Sequence, residues 1–496
     1  MSMMSAKPMA PPASASIQPA AAPDTVTDVK PTPVESPKES PLISKCVAEF
    51  VGTYLLVLTV GCNVLSGNAV WAGVSIASVL MVAIFAFGAI SGANFNPAVS
   101  VTLGITKLLG GPGLDLATVG IYVLVQVIAG IAAAFSYFML FGDSFNLAPA
   151  KGFGWWEAGL CELLYTFMLC FVVLNVAAAK KYAKEGNQWY GLSIGFVIVA
   201  GAYGAGAISG GCFNPAVAIG IDTSSFTKGF GWCLPYMVFE LLGAALAAGL
   251  FMVVRPGDFK DDDTPTADPG VPEKLTSEFL GTFMLVLTVG LNVLGKSPAG
   301  AFSIAASLMC MIYALGDVSG GHFNPAVTLA IFVKGFDDAL DAKMMSLYMA
   351  VQTLGGICAA FTYAAIYHGS TFELEPQGIH WWVAAGEAEI IFTAVLCLVV
   401  LAVACAPDTK SVTMFGLAIG SCVTVGGFAI GSVSGGSLNP AVSIGISTSH
   451  LIEGGKFWHC LLYSAYEFTG ALMAAGILHL THGLSSKEKD DIDKVA

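Results

Sequence analysis

Long apolar stretches separated by short polar segments dominate this chain. A helix needs about 20 apolar residues to cross a bilayer, and stretches near that length predict twelve membrane spans in two sets of six. The first set lies at about 44–66, 70–91, 116–141, 156–179, 189–208 and 231–254, and the second at about 274–295, 300–319, 342–368, 383–406, 412–431 and 456–482. The pattern predicts an all-α membrane protein.

The polar segments divide the chain into five parts. Residues 1–43 are rich in Ala, Pro and Ser and have no apolar core region, which predicts a disordered tail and not a signal peptide. Two apolar units of nearly equal size, 44–254 and 274–482, are joined by a polar linker at 255–273. Residues 483–496 form a charged C-terminal tail.

The number of spans and the positions of three lysines predict an orientation. An even number of crossings leaves both chain ends on one side of the bilayer. Lys180, Lys181 and Lys184 lie between the fourth and fifth spans, and positive residues are enriched on the cytoplasmic side. Both termini are therefore predicted to be cytoplasmic.

Composition supports the bilayer as a partner and excludes several classes of protein. Hydrophobic residues make up 55% of the 496 residues and charged residues 11%, against about 25% charged in soluble domains. A net charge of -13 disfavours binding to nucleic acid. Most of the cysteines lie within apolar runs, without a CxxC pair or a Cys/His cluster at ligand spacing, so we expect neither a metal nor a cofactor. Nothing in the sequence suggests an enzyme.

The two units are copies of each other, and each unit is also an internal repeat. Residues 51–65 recur with few changes as 280–294. A nine-residue pattern containing Asn-Pro-Ala occurs four times, at 91–99, 209–217, 319–327 and 434–442. Within a unit, the motif asparagines are 118 and 115 residues apart (96 to 214 and 324 to 439), which leaves room for three spans. An odd number of crossings predicts an inverted repeat whose two motifs meet near the midplane.

Each Asn-Pro-Ala motif is expected to begin a half-helix. Asn is a favoured N-cap residue and Pro a favoured first helical residue. The apolar stretch that follows, such as 98–109, ends before it crosses, and such a half-helix is tolerated only beside a water-filled cavity. The motif residues are Asn96, Pro97, Ala98, Asn214, Pro215, Ala216, Asn324, Pro325, Ala326, Asn439, Pro440 and Ala441.

Two opposed half-helix N-termini would bring two positive dipole ends to the centre of a pore. We expect the asparagine side-chain oxygens to cap backbone N–H groups, which leaves the amide NH₂ groups free to donate to a passing oxygen. A neutral hydroxylic solute gains from this arrangement and a cation loses. Water held there would point outward on both sides, which disfavours proton hopping.

With these four motifs the chain resembles a tandem fusion of two channels of the aquaporin, or major intrinsic protein, family over residues 44–482. The resemblance implies two six-helix bundles, each an inverted repeat with two re-entrant half-helices, that conduct water or small neutral solutes passively. It implies that four glutamates brace the half-helix loops: Glu49, Glu162, Glu278 and Glu389. It also implies an assembly of four pores, which a homodimer of two-pore chains would complete.

The selectivity filter is where the chain departs from the family. Counting from the motifs places the filter of the first unit at Ile76, Ala202, Gly211 and Val217, and that of the second unit at Ile304, Gly427, Gly436 and Val442. The family's usual arginine is valine in both units, although a slip of one residue would bring in Tyr203 or Phe428. Such a filter is expected to be wide and apolar, to admit glycerol, urea, ammonia or peroxide as readily as water, and to lack one barrier to cations.

Four other residues within the spans and loops invite an interpretation. Glu240 and Glu467 occupy matching places in the two units, which favours a structural partner for each. The residue of the first unit that is equivalent to Asp317 is Ala89, so any role of Asp317 would be peculiar to the second pore. Cys212 lies two residues before a motif asparagine; we interpret it as a small packing residue, with mercurial block of the first pore as the alternative.

Three other functions are compatible with this pattern. Twelve spans with internal repeats also suit a coupled secondary transporter. A structural or junctional membrane protein with closed pores is a second alternative. An ion-permeable channel, opened by the missing arginine, is the third.

Overall fold

The structure, a computed structural model, describes residues 40–260, 268–337 and 339–482. Its first unit contains α1 (Leu42–Leu65), α2 (Ala72–Ser91), α3 (Pro97–Leu108), α4 (Leu116–Phe141), α5 (Trp155–Val173), α6 (Lys180–Glu185), α7 (Tyr190–Ala205), α8 (Pro215–Ser224) and α9 (Cys233–Val254). Its second unit contains α10 (Val271–Leu294), α11 (Gly300–Ser319), α12 (Pro325–Lys334), α13 (Ala342–Ile366), α14 (Trp382–Val400), α15 (Phe415–Ser434), α16 (Pro440–His450) and α17 (Trp458–His482).

The predicted all-α membrane architecture is confirmed. Eleven helices of the described residues are long and apolar enough to cross a bilayer. The span predicted at 189–208 is the shorter helix α7, which has 16 residues. Helices α5 and α14 each continue into a π-helical turn, Leu174–Ala178 and Leu401–Cys405.

The four half-helices begin at their motifs. Helices α3, α8, α12 and α16 have 12, 10, 10 and 11 residues, so each is about 15–18 Å long at 1.5 Å per residue and too short to cross. Each begins at the motif proline, and the preceding asparagine caps it. The asparagine Oδ1 atoms accept the N–H groups of Ala98 (2.9 Å), Ala216 (2.9 Å), Ala326 (2.8 Å) and Ala441 (2.9 Å).

The two units pack side by side through α5, α7 and α9 of the first unit and α10 and α11 of the second. Several hydrogen bonds of the described residues cross this boundary. The Tyr165 hydroxyl lies 3.0 Å from Thr288 Oγ1, and Ser303 Oγ donates to the Ala200 carbonyl at 2.9 Å. Polar side chains that pair across packed helices help to fix how membrane helices associate.

Asp317 also joins the two units, and this corrects the interpretation that its role is peculiar to the second pore. Arg255, which follows α9, donates to both Asp317 oxygens, at 3.1 and 2.5 Å. Lys181 of the first unit lies 3.5 Å away. Nearby, Asp258 accepts the Lys180 N–H at 3.0 Å, and burial raises the pKa of Asp258. The first residues of the linker thus form hydrogen bonds with both units, through Asp258 to the first and through Arg255 to the second.

Candidate pore sites

In the first unit the two half-helices are tied together at their motifs. Asn96 Nδ2 donates to the Phe213 carbonyl at 2.8 Å, and Asn214 Nδ2 donates to the Phe95 carbonyl at 3.0 Å. Each asparagine thus caps its own helix and holds the loop that leads into the opposite helix. Both are 3% exposed and line one cavity.

The second unit repeats this crossing. Asn324 Nδ2 donates to the Leu438 carbonyl and Asn439 Nδ2 to the Phe323 carbonyl, both at 2.9 Å. An amide NH₂ group has two hydrogens, so one remains for a solute on each asparagine. The expectation that both hydrogens of each NH₂ group are free is therefore wrong, because a carbonyl of the opposed loop accepts one of them.

The residue before each motif asparagine has an unusual backbone conformation. Phe95, Phe213, Phe323 and Leu438 have φ values of 51°, 52°, 49° and 55°, in the left-handed region that non-glycine residues rarely adopt. This conformation lets each residue direct its carbonyl at the opposed asparagine while a buried glutamate holds its N–H. Strain of this kind is characteristic of functional loops.

Buried glutamates hold the loops of the first motif in each unit. Glu49 accepts the N–H groups of Asn94 (2.9 Å) and Phe95 (2.8 Å). Glu278 does the same for His322 (3.0 Å) and Phe323 (2.7 Å). Gln126 and Gln352 donate to these carboxylates, each at 2.8 Å.

The loops of the second motif use two glutamates each. Glu162 accepts the N–H groups of Cys212 (3.0 Å) and Phe213 (2.7 Å), and Glu389 those of Ser437 (3.1 Å) and Leu438 (2.9 Å).

The additional glutamate binds the motif asparagine itself. Glu240 accepts the Asn214 N–H at 2.8 Å and Glu467 the Asn439 N–H at 3.0 Å. Their matching positions indicated a structural partner, but the sequence did not identify these N–H groups.

The eight counted filter residues all line the two cavities. Ile76, Ala202, Gly211 and Val217 line a cavity of about 860 Å³ in the first unit. Ile304, Gly427, Gly436 and Val442 line a cavity of about 420 Å³ in the second unit. None of these side chains is charged or aromatic. The walls at these positions are therefore apolar.

The two aromatic residues beside the counted positions differ in placement. Tyr203 lines the first cavity, and its hydroxyl donates to the Val70 carbonyl at 2.5 Å. Its counterpart Phe428 is 59% exposed on the outside of α15. Of these two aromatic residues, the one in the first unit thus lies on its cavity wall, whereas its counterpart in the second unit is exposed.

The cavities also differ in how far they extend toward the side where α1 begins, which we call the terminal side. The lining of the first cavity continues to Gly113, Tyr182 and Asn187 in the terminal-side loops. Within the described part of the second unit, no residue of 401–414 lines the second cavity. No sequence signal indicated this difference.

The sequence of the chain is similar to those of known proteins. The sequence profile described as Major intrinsic protein matches residues 36–220, 188–296 and 291–479. The chain is 38% identical over 195 residues to "Aquaporin NIP2-1" of Zea mays, a match that covers 36% of this chain and 61% of that relative's length. It is 29% identical over 231 residues to "Aquaporin NIP3-1" of Oryza sativa subsp. japonica, covering 43% of this chain and 70% of the relative.

The chain is also similar to a solved structure. The X-ray structure of the aquaglyceroporin from Plasmodium falciparum is 21% identical, with a TM-score of 0.36. The match covers 42% of this chain and 96% of that chain.

Proposed function

Because the chain belongs to the major intrinsic protein family, we propose that it is a passive channel, and not an enzyme, for water and small neutral solutes. Each unit supplies one pore. The observation that carries this proposal is the pair of crossed asparagines in each unit, which leaves one amide hydrogen per asparagine beside a cavity. Opposed helix N-termini at the same point disfavour cations.

The apolar filter suggests which solutes pass. We propose that the eight counted residues form the narrowest wall of each pore and that the four bracing glutamates hold its loops. Without an arginine, a passing solute meets methyl groups and backbone rather than a fixed charge. Glycerol, urea, ammonia or peroxide should therefore permeate as well as water, with more room in the first cavity than in the second.

The test is osmotic shrinkage of liposomes that contain the purified chain, followed by stopped-flow light scattering. We expect faster water and solute flux than in protein-free liposomes, without any ion gradient. A strict requirement for an ion gradient would point to a coupled transporter. Leakage equal to that of empty liposomes would point to closed pores, and single-channel conductance in a planar bilayer to an ion path.

We further propose that two chains associate to give four pores. Within one chain, α5 and α7 of the first unit cover α10 and α11 of the second. The corresponding helices, α1 and α2 at one end and α14 and α15 at the other, have no such cover from the described residues. A second copy related by a two-fold axis would cover both ends with the same kind of contact.

The uncovered face keeps part of the polar pattern of the internal contact. At the internal contact, Asn292 donates to Ser303 at 2.9 Å, and Ser303 reaches across the boundary. On the uncovered face, Asn63 donates to Ser75 at 2.9 Å. Phe392, however, stands where the internal contact has Tyr165. The contact between chains should therefore resemble the internal one but lack one hydrogen bond.

The mass of the detergent-solubilised protein, measured by light scattering during size exclusion, tests this association. We expect the mass of two chains, and of one chain for Ser75→Trp, because the larger ring would hold the α2 face away from its partner. Leu124→Trp, a substitution at an exposed position of α4, is the matched control and should remain dimeric. A monomeric wild type would contradict the proposal.

The orientation and the five-part organisation complete the proposal. Both termini and the linker at 255–273 would face the cytoplasm, with channel units at 44–254 and 274–482 and polar tails at 1–43 and 483–496. Protease cleavage of the tails in right-side-out vesicles tests this orientation. Protection before permeabilisation and cleavage afterwards is the expected result.

A further inference from the structure

A cluster of metal-ligating side chains lies behind the second motif loop of the first unit. One carboxylate oxygen of Glu162, one of Glu240 and Sγ of Cys212 all lie within 4.8 Å of one another. Both glutamates are fully buried, whereas Cys212 lies on the wall of the first cavity. A cation that enters the cavity therefore has a direct route to this cluster.

Backbone contacts explain only part of the cluster. Glu162 holds two loop N–H groups, and Glu240 Oε1 accepts the Asn214 N–H at 2.8 Å. Glu240 Oε2 is buried and accepts no hydrogen bond among the described residues. A buried carboxylate oxygen without a partner is costly, and the partners of the other oxygens are neutral. The cluster thus offers a buried carboxylate oxygen that no donor among the described residues satisfies.

The second unit fills the equivalent place with hydroxyl groups. Ser443 Oγ donates to Glu467 Oε1 at 2.8 Å, and Ser437 Oγ lies 2.7 Å from Ser443 Oγ. The first unit has Ala218 and Cys212 at these two positions. Glu467 Oε2 also lacks a partner among the residues that the structure describes, so the decisive difference between the units is the thiol.

We propose that Glu162, Cys212 and Glu240 bind a thiophilic divalent cation of the Zn²⁺ or Cd²⁺ class and that the bound cation blocks the first pore alone. Cysteine sulfur and carboxylate oxygen are established zinc ligands, and three protein ligands leave a fourth position for water. Binding releases the thiol proton to solvent. The resulting thiolate and the two carboxylates carry three negative charges against the two positive charges of the cation, so the occupied site keeps one negative charge.

Binding at this place changes the pore through the loop. Ligand atoms of a tetrahedral zinc site lie roughly 3.5 Å apart, so the side chains must draw together by about 1 Å from separations of up to 4.8 Å. Glu162 also holds the N–H groups of Cys212 and Phe213. A cation that pulls on Glu162 therefore moves the loop that carries Asn214.

Cadmium titration of the purified full-length chain tests the site directly, through the ultraviolet absorption of the bond between cadmium and thiolate. Cys212→Ser, which copies the second unit, should weaken the tightest binding at least about tenfold, since even the loss of a supporting contact commonly costs 10–100-fold. Cys62→Ser removes a partly exposed thiol outside the cluster and should bind as the wild type does. Unchanged cadmium absorption in Cys212→Ser would overturn the proposal.

A reciprocal exchange provides a gain of function. Adding Ser437→Cys and Ser443→Ala to the Cys212→Ser chain should restore tight binding, now in the second unit. Glu240→Gln keeps an oxygen for the Asn214 N–H but loses the negative charge, so it should also weaken binding. Restoration in the exchanged chain and loss in Glu240→Gln support the three-ligand site, and failure of both overturns it.

The expected effect on flux rests on the proposed channel function. Measuring flux and Cd²⁺ binding together tests the channel and the metal site separately. Cd²⁺ should remove only part of the liposome flux of the wild type and none of that of Cys212→Ser. A chain that conducts nothing but binds Cd²⁺ through Cys212 would contradict the channel and leave the metal site standing. A conducting chain whose Cd²⁺ binding ignores Cys212 would contradict the metal site alone.

Discussion

The two pores have the same pair of crossed asparagine hydrogen bonds at their centres, but their cavity walls differ. The asparagine-to-carbonyl distances at the crossing are 2.8 and 3.0 Å in the first unit and 2.9 Å for both in the second. The cavities around these nearly identical centres measure about 860 and 420 Å³. The centre is fixed by hydrogen bonds that motif asparagines and buried glutamates make with the backbone. The wall depends on side chains without such backbone partners, so the wall is freer to diverge.

The difference has identifiable sources at both ends of the pores. On the side away from the termini, the Tyr203 hydroxyl of the first unit donates to the Val70 carbonyl. In the second unit, Phe428 at the equivalent position is exposed. On the terminal side, only the first cavity reaches loop residues such as Tyr182. The second unit therefore has the smaller cavity although it lacks the tyrosine.

Loss of a bracing glutamate should have the largest effect. Glu49→Ala leaves the N–H groups of Asn94 and Phe95 buried without an acceptor, at a cost of about 1–3 kcal/mol each. We expect a large drop in the thermal unfolding midpoint, measured by tryptophan fluorescence in detergent, together with loss of flux through the first pore. Glu278→Ala should cost the same in the second unit. Unequal stability losses would show that the two centres are less alike than their distances indicate.

Breaking the contact between the units should have the next largest effect. Arg255→Ala leaves Asp317 with Lys181 at 3.5 Å as its remaining basic partner, and breaking a buried ion pair costs about 3–5 kcal/mol. The free energy of unfolding, obtained from thermal unfolding, should fall by an amount near the lower end of that range, because Lys181 remains. The double variant Arg255→Ala with Asp317→Ala should lose less than the sum of the single variants, and simple additivity would rule out the pairing.

A smaller effect is expected at the aromatic residue beside the proposed filter residues of the first unit. Tyr203→Phe removes the hydroxyl that donates to Val70 and should cost about 1 kcal/mol, while the freed loop should raise glycerol flux modestly. Phe428→Tyr is the matched control, because its side chain is 59% exposed on the outside of the helix. Equal changes in flux in the two variants would contradict the asymmetry of the walls.

Much of the architecture followed from local sequence signals. The span predicted at 116–141 is helix α4 (Leu116–Phe141), because apolar length and flanking glycine and aspartate determine where such a helix begins and ends. The half-helices followed from the capping preference of asparagine before proline. The family profile matched along the chain agrees with the tandem resemblance.

Contacts between distant residues did not follow from the sequence. The carbonyl that takes an Asn96 hydrogen lies 117 residues away, and Asp317 lies 62 residues from Arg255. The opposite placements of Tyr203 and Phe428 depend on the surrounding helices, which no periodicity in α7 or α15 reveals. Counting from the motifs therefore selected residues that line the two cavities, but it did not predict the difference between the pores.

Solute flux after restoring an arginine tests the central claim of two unequal pores with apolar filters most directly. In stopped-flow measurements on liposomes with water, glycerol and urea, Val217→Arg and Val442→Arg should each reduce solute flux more than water flux. The reduction should be larger for Val217→Arg, because the first cavity is about twice as large. Permeabilities that stay unchanged in both variants would contradict the filter assignment, and equal reductions would contradict the inequality of the pores.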